Sequence, residues 1–280
     1  MLFPEIFHRL ERARWSLDTD IPWDQFDRSK LTERQLHGIK MNAIAEWSAM
    51  PTAEMFLRDN QHDVDFSAFM SIWFFEEQKH SLTLLEYLRR FAPEFSPIEE
   101  ELAAVRFEFE PAPALESLAL HFCGEIRLNH WYRCASAYHT EPVIKHIYTV
   151  LANDEARHAR VYYDYMRRAI SRQGEEAYRA FSKIGVLMTN ARLNRAMHPT
   201  NLHVNRSLYP NDTVNGRMPD PEWVEIWLND EICFDRSWES KVEDAILMNL
   251  SSAFGETFTT SHDLRRFNKK LKSSELEAGH

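Results

Sequence analysis

A chain of 280 residues can bury a sizeable core, as one large domain or two modest ones. Its net charge of −10 argues against a general nucleic-acid binder, and no stretch approaches the roughly 18 uncharged apolar residues that a membrane span needs. Three cysteines (Cys123, Cys134 and Cys233) make neither a CxxC pair nor a disulfide framework. Only 7 Gly, with Leu, Ala, Glu and Arg abundant, favour helix over strand, so a reduced, cytoplasmic, all-α protein is expected. The opening "MLFPEIFHRLERARW" gains charges too early for a signal peptide.

In chain order, residues 1–18 read as a short amphipathic helix, followed by the irregular, Trp-containing "DTDIPWDQFD". One long helical pattern runs from about Thr32 to Asp59 and a second from about Asp65 to Arg90. A connection holding Pro93, Pro97 and Pro111 separates them from a third, about Ala114 to Tyr138. The fourth runs from Thr140, placed to cap it, with Pro142 in its first turn, to about Ile170. Further helices are expected over 174–197 and 221–255, with a loop between them and a flexible tail over 256–280. Short joints near Asn60–His62 and His139–Thr140 make two antiparallel hairpins, and the long connection crosses between them. This is the topology of a ferritin-like four-helix bundle with one long crossover: a single domain over 1–280, its core at about 32–170.

Glu-x-x-His occurs four times, as Glu5/His8, Glu77/His80, Glu155/His158 and Glu277/His280. The two at the chain ends are read as chance. For the two in the middle, spacing carries the argument. Glu46 precedes Glu77 by 31 residues and Glu125 precedes Glu155 by 30, so each hairpin brings a pair of carboxylates level with one another. At a rise of ~1.5 Å per residue, both pairs lie roughly 20–25 Å from their own turn. Each His is three residues after its Glu and shares its face. Glu54, Glu86 and Glu116 fall at other depths. The chosen carboxylates also stand among apolar residues (Ile72, Trp73, Phe74 and Phe75 before Glu77; Ile44 and Trp47 around Glu46; Phe122 and Ile126 around Glu125), where a buried charge requires compensation. A Glu from each of two helices and Glu-x-x-His from each of two others is the ligand set of di-iron and di-manganese carboxylate bundles. The expected ligands are Glu46, Glu77, His80, Glu125, Glu155 and His158, holding two Fe, with Mn/Fe as the variant that oxygen-rich ligation also suits.

At these residues the chain resembles a known family. "EEQKH" is similar to the EENRH motif, and "DEARH" to the DEKRH motif, of soluble acyl-carrier-protein desaturases, over about residues 41–165. The resemblance implies O2-dependent oxidation of an unactivated bond, and gives Asp154 the role of accepting a hydrogen bond from a ligand imidazole. It leaves Glu76 and Arg157 either solvated or salt-bridged. Leu128 stands where those desaturases carry a Thr. An N-oxygenase has an added His where Leu151 stands here, and a radical-generating reductase subunit has a Tyr where Leu84 stands. His121, one turn before Glu125, is a boundary histidine first and a supplementary ligand or hydrogen-bond donor second.

The leading expectation is therefore a desaturase-like di-iron oxidoreductase acting on an acyl, carrier-bound or small-molecule substrate. Hydroxylation or N-oxygenation of a small molecule is the alternative, and a non-catalytic iron-binding protein of ferritin type stands behind both. Electrons must come from an external ferredoxin-like or flavoprotein donor, since the chain has no Fe–S or flavin motif. A homodimer follows by similarity. Trp47 and Trp73 are read as packing residues that could also carry electrons, and Tyr162, Tyr163 and Tyr165 as boundary or surface residues. The basic clusters Arg9/Arg12/Arg14, Arg167/Arg168 and Lys269/Lys270/Lys272 are read as solvated, with carrier docking as the other use.

Overall fold

The computed structural model describes residues 1–103, 105, 106, 108, 110–190 and 236–278, and among them every regular element is a helix. Helix α1 (Phe3–Ala13) has no cap of its own, but Asp65 accepts from the backbone N–H of Leu2 and Phe3 at 2.8–3.0 Å. Short 3-10 turns at Trp23–Gln25 and Arg28–Lys30 follow. Helix α2 (Glu33–Glu46) starts at a capping box between Thr32 and Gln35.

The expected continuous helix over 32–59 is two helices. Helix α2 stops at Glu46, and α3 (Ala49–Asp59) restarts after Trp47 and Ser48. Pro51 explains the break, because its ring would clash with the Trp47 carbonyl four residues back. In the first turn of a fresh helix the same proline is tolerated. Helix α4 (Val64–Phe91) is capped by Asp63 and stops two residues before Pro93. The long connection carries a 3-10 turn at Pro93–Phe95 and a short helix, α5 (Glu99–Ala103).

Helix α6 (Ala114–Tyr138) has the bounds expected of it. Helix α7 (Pro142–Gln173) is capped by Glu141 and not by Thr140. The reason lies outside the segment: the fully buried Glu141 carboxylate accepts from Ile144 N, the Tyr87 hydroxyl and Asp27 N at 2.9–3.1 Å, which ties three parts of the chain to one cap. Gly174, at φ 52°, ends α7 and turns into α8 (Glu175–Met188). Helix α8 stops at Met188, short of the expected Met197, with Thr189 and Asn190 outside it; residues 191–235, which hold the expected loop and the start of the helix expected over 221–255, lie outside the described residues. Helices α9 (Arg236–Phe254) and α10 (Ser261–Ala278) close the chain.

The tail expected to be flexible is therefore helical over most of its length. Leu264 is fully buried against α8, and Phe267 meets Phe254 and Phe258 at ring-centroid distances of 5.5 and 5.4 Å. Helices α6 and α7 pack along one another, α2 and α3 pack on α4, and α8, α9 and α10 pack together beside α6 and α7.

Two apolar clusters fill the interior. One joins Phe56, Phe66–Trp73 of α4, Leu118–Ile126 of α6 and Val161–Ala169 of α7 to the C-terminal helices. The other joins Leu36–Ala43 of α2, Leu84–Leu88 of α4, Tyr132 and Ala135 of α6 and Val143–Ala152 of α7. Glu76–His80, Glu125 and Asp154–His158 fall between them. Replacing Glu141 by Ala should cost about 3 kcal/mol, since it strips a cap and leaves the Tyr87 hydroxyl and two N–H groups without an acceptor. Thermal unfolding would show it as a clear fall in midpoint, whereas Thr140→Ala should leave the midpoint unchanged.

Candidate metal centre

Four helices bring the six expected residues to one buried place. Two overlapping groups form, Glu46/Glu77/His80/Glu155 and Glu77/Glu125/Glu155/His158, each with its ligand-type atoms within 4.8 Å of one another. In the first, His80 Nδ1 lies 3.6 Å from Glu46 Oε2, 3.6 Å from Glu77 Oε2 and 3.4 Å from Glu155 Oε1. In the second, His158 Nδ1 lies 2.9 Å from Glu77 Oε1, 3.6 Å from Glu125 Oε2 and 3.6 Å from Glu155 Oε2. Glu77 and Glu155 thus offer one oxygen to each side. Glu46 and Glu125 serve one side each.

The imidazoles are oriented from behind. His80 Nε2 meets Asp154 Oδ2 at 3.0 Å, as the sequence implied, and His158 Nε2 meets Glu76 Oε2 at 2.9 Å. Asp154 and Glu76 accept there, so each Nε2 carries a hydrogen, and each Nδ1 is the nitrogen that faces the glutamates. Asp154 also takes the Trp15 indole N–H at 2.7 Å and pairs with Arg157. The Lys79 ammonium donates to the Trp15 carbonyl at 2.9 Å and sits 4.0 Å over its ring. The two outer carboxylates are held in the same way: Trp73 Nε1 donates to Glu125 Oε1 at 2.9 Å, and the Tyr132 hydroxyl donates to Glu46 Oε1. In each, Oε2 is left facing the opposing imidazole.

The inward atoms are orphans within the polypeptide. Among the described residues, Glu125 Oε2, both oxygens of Glu155 and Nδ1 of His80 are buried without a hydrogen-bond partner, while Glu77 Oε1 and His158 Nδ1 have only one another, at 2.9 Å. Such a set is costly unless something not in the chain completes it. Two divalent cations would meet every one of these atoms and balance four carboxylates, so the residues fit a pair of metal ions. The donor set of three carboxylates and one imidazole per position suits iron or manganese.

Protons occupy the metal-free site. Burial lifts Glu46 to about 7, helped by Glu77 and Glu125. Burial lifts Glu155 as well, again with Glu77 and Glu125 adding to it. Burial works against charge on both imidazoles, yet the surrounding carboxylates outweigh it and hold His80 and His158 well above the usual histidine range. For Glu77, burial is outweighed by the two imidazoles, leaving it at about 2. Lys79 is brought down to about 8 by burial, with Glu76 opposing.

The other candidates sort cleanly. Glu54, Glu86 and Glu116 pair with Arg106, Arg90 and Lys183 at the surface. Glu5 and His8 are exposed on α1, while His280 lies outside the described residues. His121 belongs to neither metal group; its ring lies against Phe56, Trp73 and Tyr162. Leu84 and Leu151 are buried core, with Leu128 packed against them. Arg9 pairs with Asp164, and Arg168 with Asp63 and Asp65, which takes them out of the expected basic clusters.

Glu76, Trp15, Tyr132 and Tyr162 were not anticipated in their places. Glu76 had a signal, since it precedes Glu77 as Asp154 precedes Glu155. Tyr162 and Tyr165, expected at the boundary, are fully buried. No helix among the described residues is long and apolar enough to cross a membrane. No protein-family model matches the chain, and no curated protein matches it either.

Two outcomes follow for metal uptake. Glu155→Ala should abolish binding of both ions, whereas Glu125→Ala should lose only the one on the His158 side; metal analysis after gel filtration separates the two. Glu46 is protonated below its value of about 7, so a metal must displace that proton. Loading should therefore release protons, and apparent affinity should weaken as pH falls through 7, as calorimetry in buffers of different ionisation enthalpy would read.

Proposed function

We propose that this chain is an O2-activating di-iron oxidoreductase built on a ferritin-like bundle, desaturase-like in the bond it oxidises. The observation that carries the reading is the pair of one-imidazole, three-carboxylate groups sharing Glu77 and Glu155, with both Nδ1 atoms facing the carboxylates. Bound there, two ferrous ions would supply the reduction of O2 and the oxidation of an unactivated C–H bond.

The chain's own residues would do the rest. Glu77 and Glu155 would span the two positions and fix the distance between them. Tyr132 and Trp73 would keep the outer carboxylates of Glu46 and Glu125 from swinging away, and Asp154 and Glu76 would hold the hydrogens on Nε2. The apolar clusters on either side would exclude water, which protects oxidising chemistry from side reactions. Trp15, 8 % exposed, is joined to His80 through Asp154 by hydrogen bonds of 2.7 and 3.0 Å. An external donor's electrons would enter along that line, a role considered from sequence only for Trp47 and Trp73.

An apolar substrate is favoured by a groove at the helix break that follows Glu46. Trp47, Met50, Pro51, Leu102, Ala103, Val105 and Arg106 line a space of about 290 Å³ at the break between α2 and α3. That is near the lower end for small-molecule sites and would take a short hydrocarbon segment. Hydroxylation or N-oxygenation of a small molecule uses the same centre and remains the second reading.

The deciding experiment loads the protein anaerobically with Fe(II), supplies a reductant, admits O2, and follows a panel of acyl carriers, free fatty acids and arylamines by mass spectrometry. Loss of a hydrogen pair from one acyl chain is the expected result. Gain of an oxygen atom would select the hydroxylase or N-oxygenase reading. Oxidation to a ferric mineral with every candidate unchanged would overturn both in favour of iron storage.

A further inference from the structure

Tyr162 is a buried polar group that neither the metal set nor the fold uses. It is fully buried, yet among the described residues its hydroxyl has no hydrogen-bond partner. Its ring is fixed by Phe56, Phe69 and Phe66, with centroids 5.8, 5.5 and 6.1 Å away, and His121 lies at 6.3 Å. A phenylalanine would fill that space without burying an unmatched hydroxyl, so the oxygen is a net cost to the chain taken alone.

Its direction points to a use. Tyr162 lies one turn after His158 and two after Glu155, on the same buried face of α7. Helical side chains lie over the turn that precedes them, which for Tyr162 is the turn of His158, and the charges that bear on its hydroxyl are those of Glu125, Glu77 and Glu155. Burial first, then the charges of Glu125, Glu77 and Glu155, push the hydroxyl far above the ordinary tyrosine range, so it stays protonated and can only donate to an anion. Those three glutamates, with His158, are one of the two metal groups.

The other side has no counterpart. The residue one turn after His80 is Leu84, fully buried among apolar neighbours. The tyrosine on that side, Tyr132, is already spent on Glu46.

We infer that Tyr162 is the hydrogen-bond donor to a small anionic ligand taken up at the His158 side of the metal pair, which makes the two metal positions inequivalent. This rests on the reading of the site as a metal pair. Azide is the probe, because it binds ferric ions as a small anion and absorbs where the protein does not. Ferric wild type, Tyr162→Phe and Tyr165→Phe are titrated with azide, and the metal-free forms are melted. Tyr165 serves as the control, since its hydroxyl donates to the Asp65 carbonyl at 3.0 Å.

Tyr162→Phe should take up the same iron, bind azide about tenfold more weakly, equivalent to about 1.4 kcal/mol, and melt at the same temperature as wild type or higher when metal-free. Tyr165→Phe should show the reverse pattern, a lower melting temperature with unchanged azide binding. Equal azide affinity in wild type and Tyr162→Phe would overturn the inference while leaving the metal pair standing. A lower metal-free melting temperature for Tyr162→Phe would also overturn it, by making the hydroxyl structural. Wild type that takes up no iron would remove the metal pair itself, and the inference with it.

Discussion

A layer of buried charge lies across the middle of the protein, and the surrounding structure is arranged to tolerate it. Six carboxylates (Glu46, Glu76, Glu77, Glu125, Asp154 and Glu155) are each 7 % exposed or less. Burial of that kind disfavours folding unless each charge finds a partner. The apolar residues cannot supply one, which is why the interior divides into two clusters with the charged residues between them. Helices α4, α6 and α7 each contribute to both clusters and change character in the middle. On α4 the change runs from Phe69 and Trp73, through Glu76, Glu77 and His80, to Leu84 and Leu88.

Partners are provided in two tiers, and the tiers differ in kind. Around the outside the polypeptide satisfies itself: Trp15 and Arg157 serve Asp154, His158 serves Glu76, Trp73 serves Glu125 and Tyr132 serves Glu46. On the inside it does not, and protons fill the gap. Burial raises Glu46 to about 7 and raises Glu155, and the carboxylates raise both imidazoles, so these groups favour protons wherever no cation balances them. The outer tier lets the chain fold before loading without fixing the inner atoms to one another. Hydrogen bonds that closed the inner tier within the chain would stabilise the empty protein and weaken the site for metal.

The sequence carried this centre better than it carried the fold around it. Level placement of Glu46 with Glu77 and of Glu125 with Glu155 follows from helical rise and the position of a turn, quantities that depend only on counting residues. The same counting excluded Glu54, Glu86 and Glu116, which are surface ion pairs. Long-range partners have no such arithmetic. Trp15 is 139 residues from Asp154 and Tyr132 is 86 from Glu46, so neither leaves a local signature. The cap of α7 was misplaced for the same reason, because Glu141 outcompetes Thr140 through contacts to Tyr87 and Asp27. Two misses were legible, however. Pro51 marks the break after Glu46, and Leu264, Phe267 and Leu271 repeat at helical spacing in a tail whose charge suggested disorder.

The break after Glu46 bears on how the two halves of the centre differ. Glu77, Glu125 and Glu155 lie inside unbroken helices, where neighbouring turns hold the backbone on both sides. Glu46 is the last residue of α2, with Trp47 and Ser48 turning away before α3 begins. Its backbone is the least constrained of the four, and the Tyr132 hydroxyl supplies from α6 the hold that a continuous helix would have given. The apolar groove opens at the same break, lined by Trp47, Met50 and Pro51. Pro51 thus ends a helix and lines the groove at the break, and Glu46 is held there by the Tyr132 hydroxyl on one oxygen and faces His80 with the other. The His158 half has the opposite balance: Glu125 is fixed on a continuous helix, and the nearby tyrosine is left with an unused hydroxyl. The two groups of near-identical composition therefore differ in their surroundings: Glu46 stands at a helix end and leans on Tyr132, while Glu125 stands in a continuous helix and leans on Trp73.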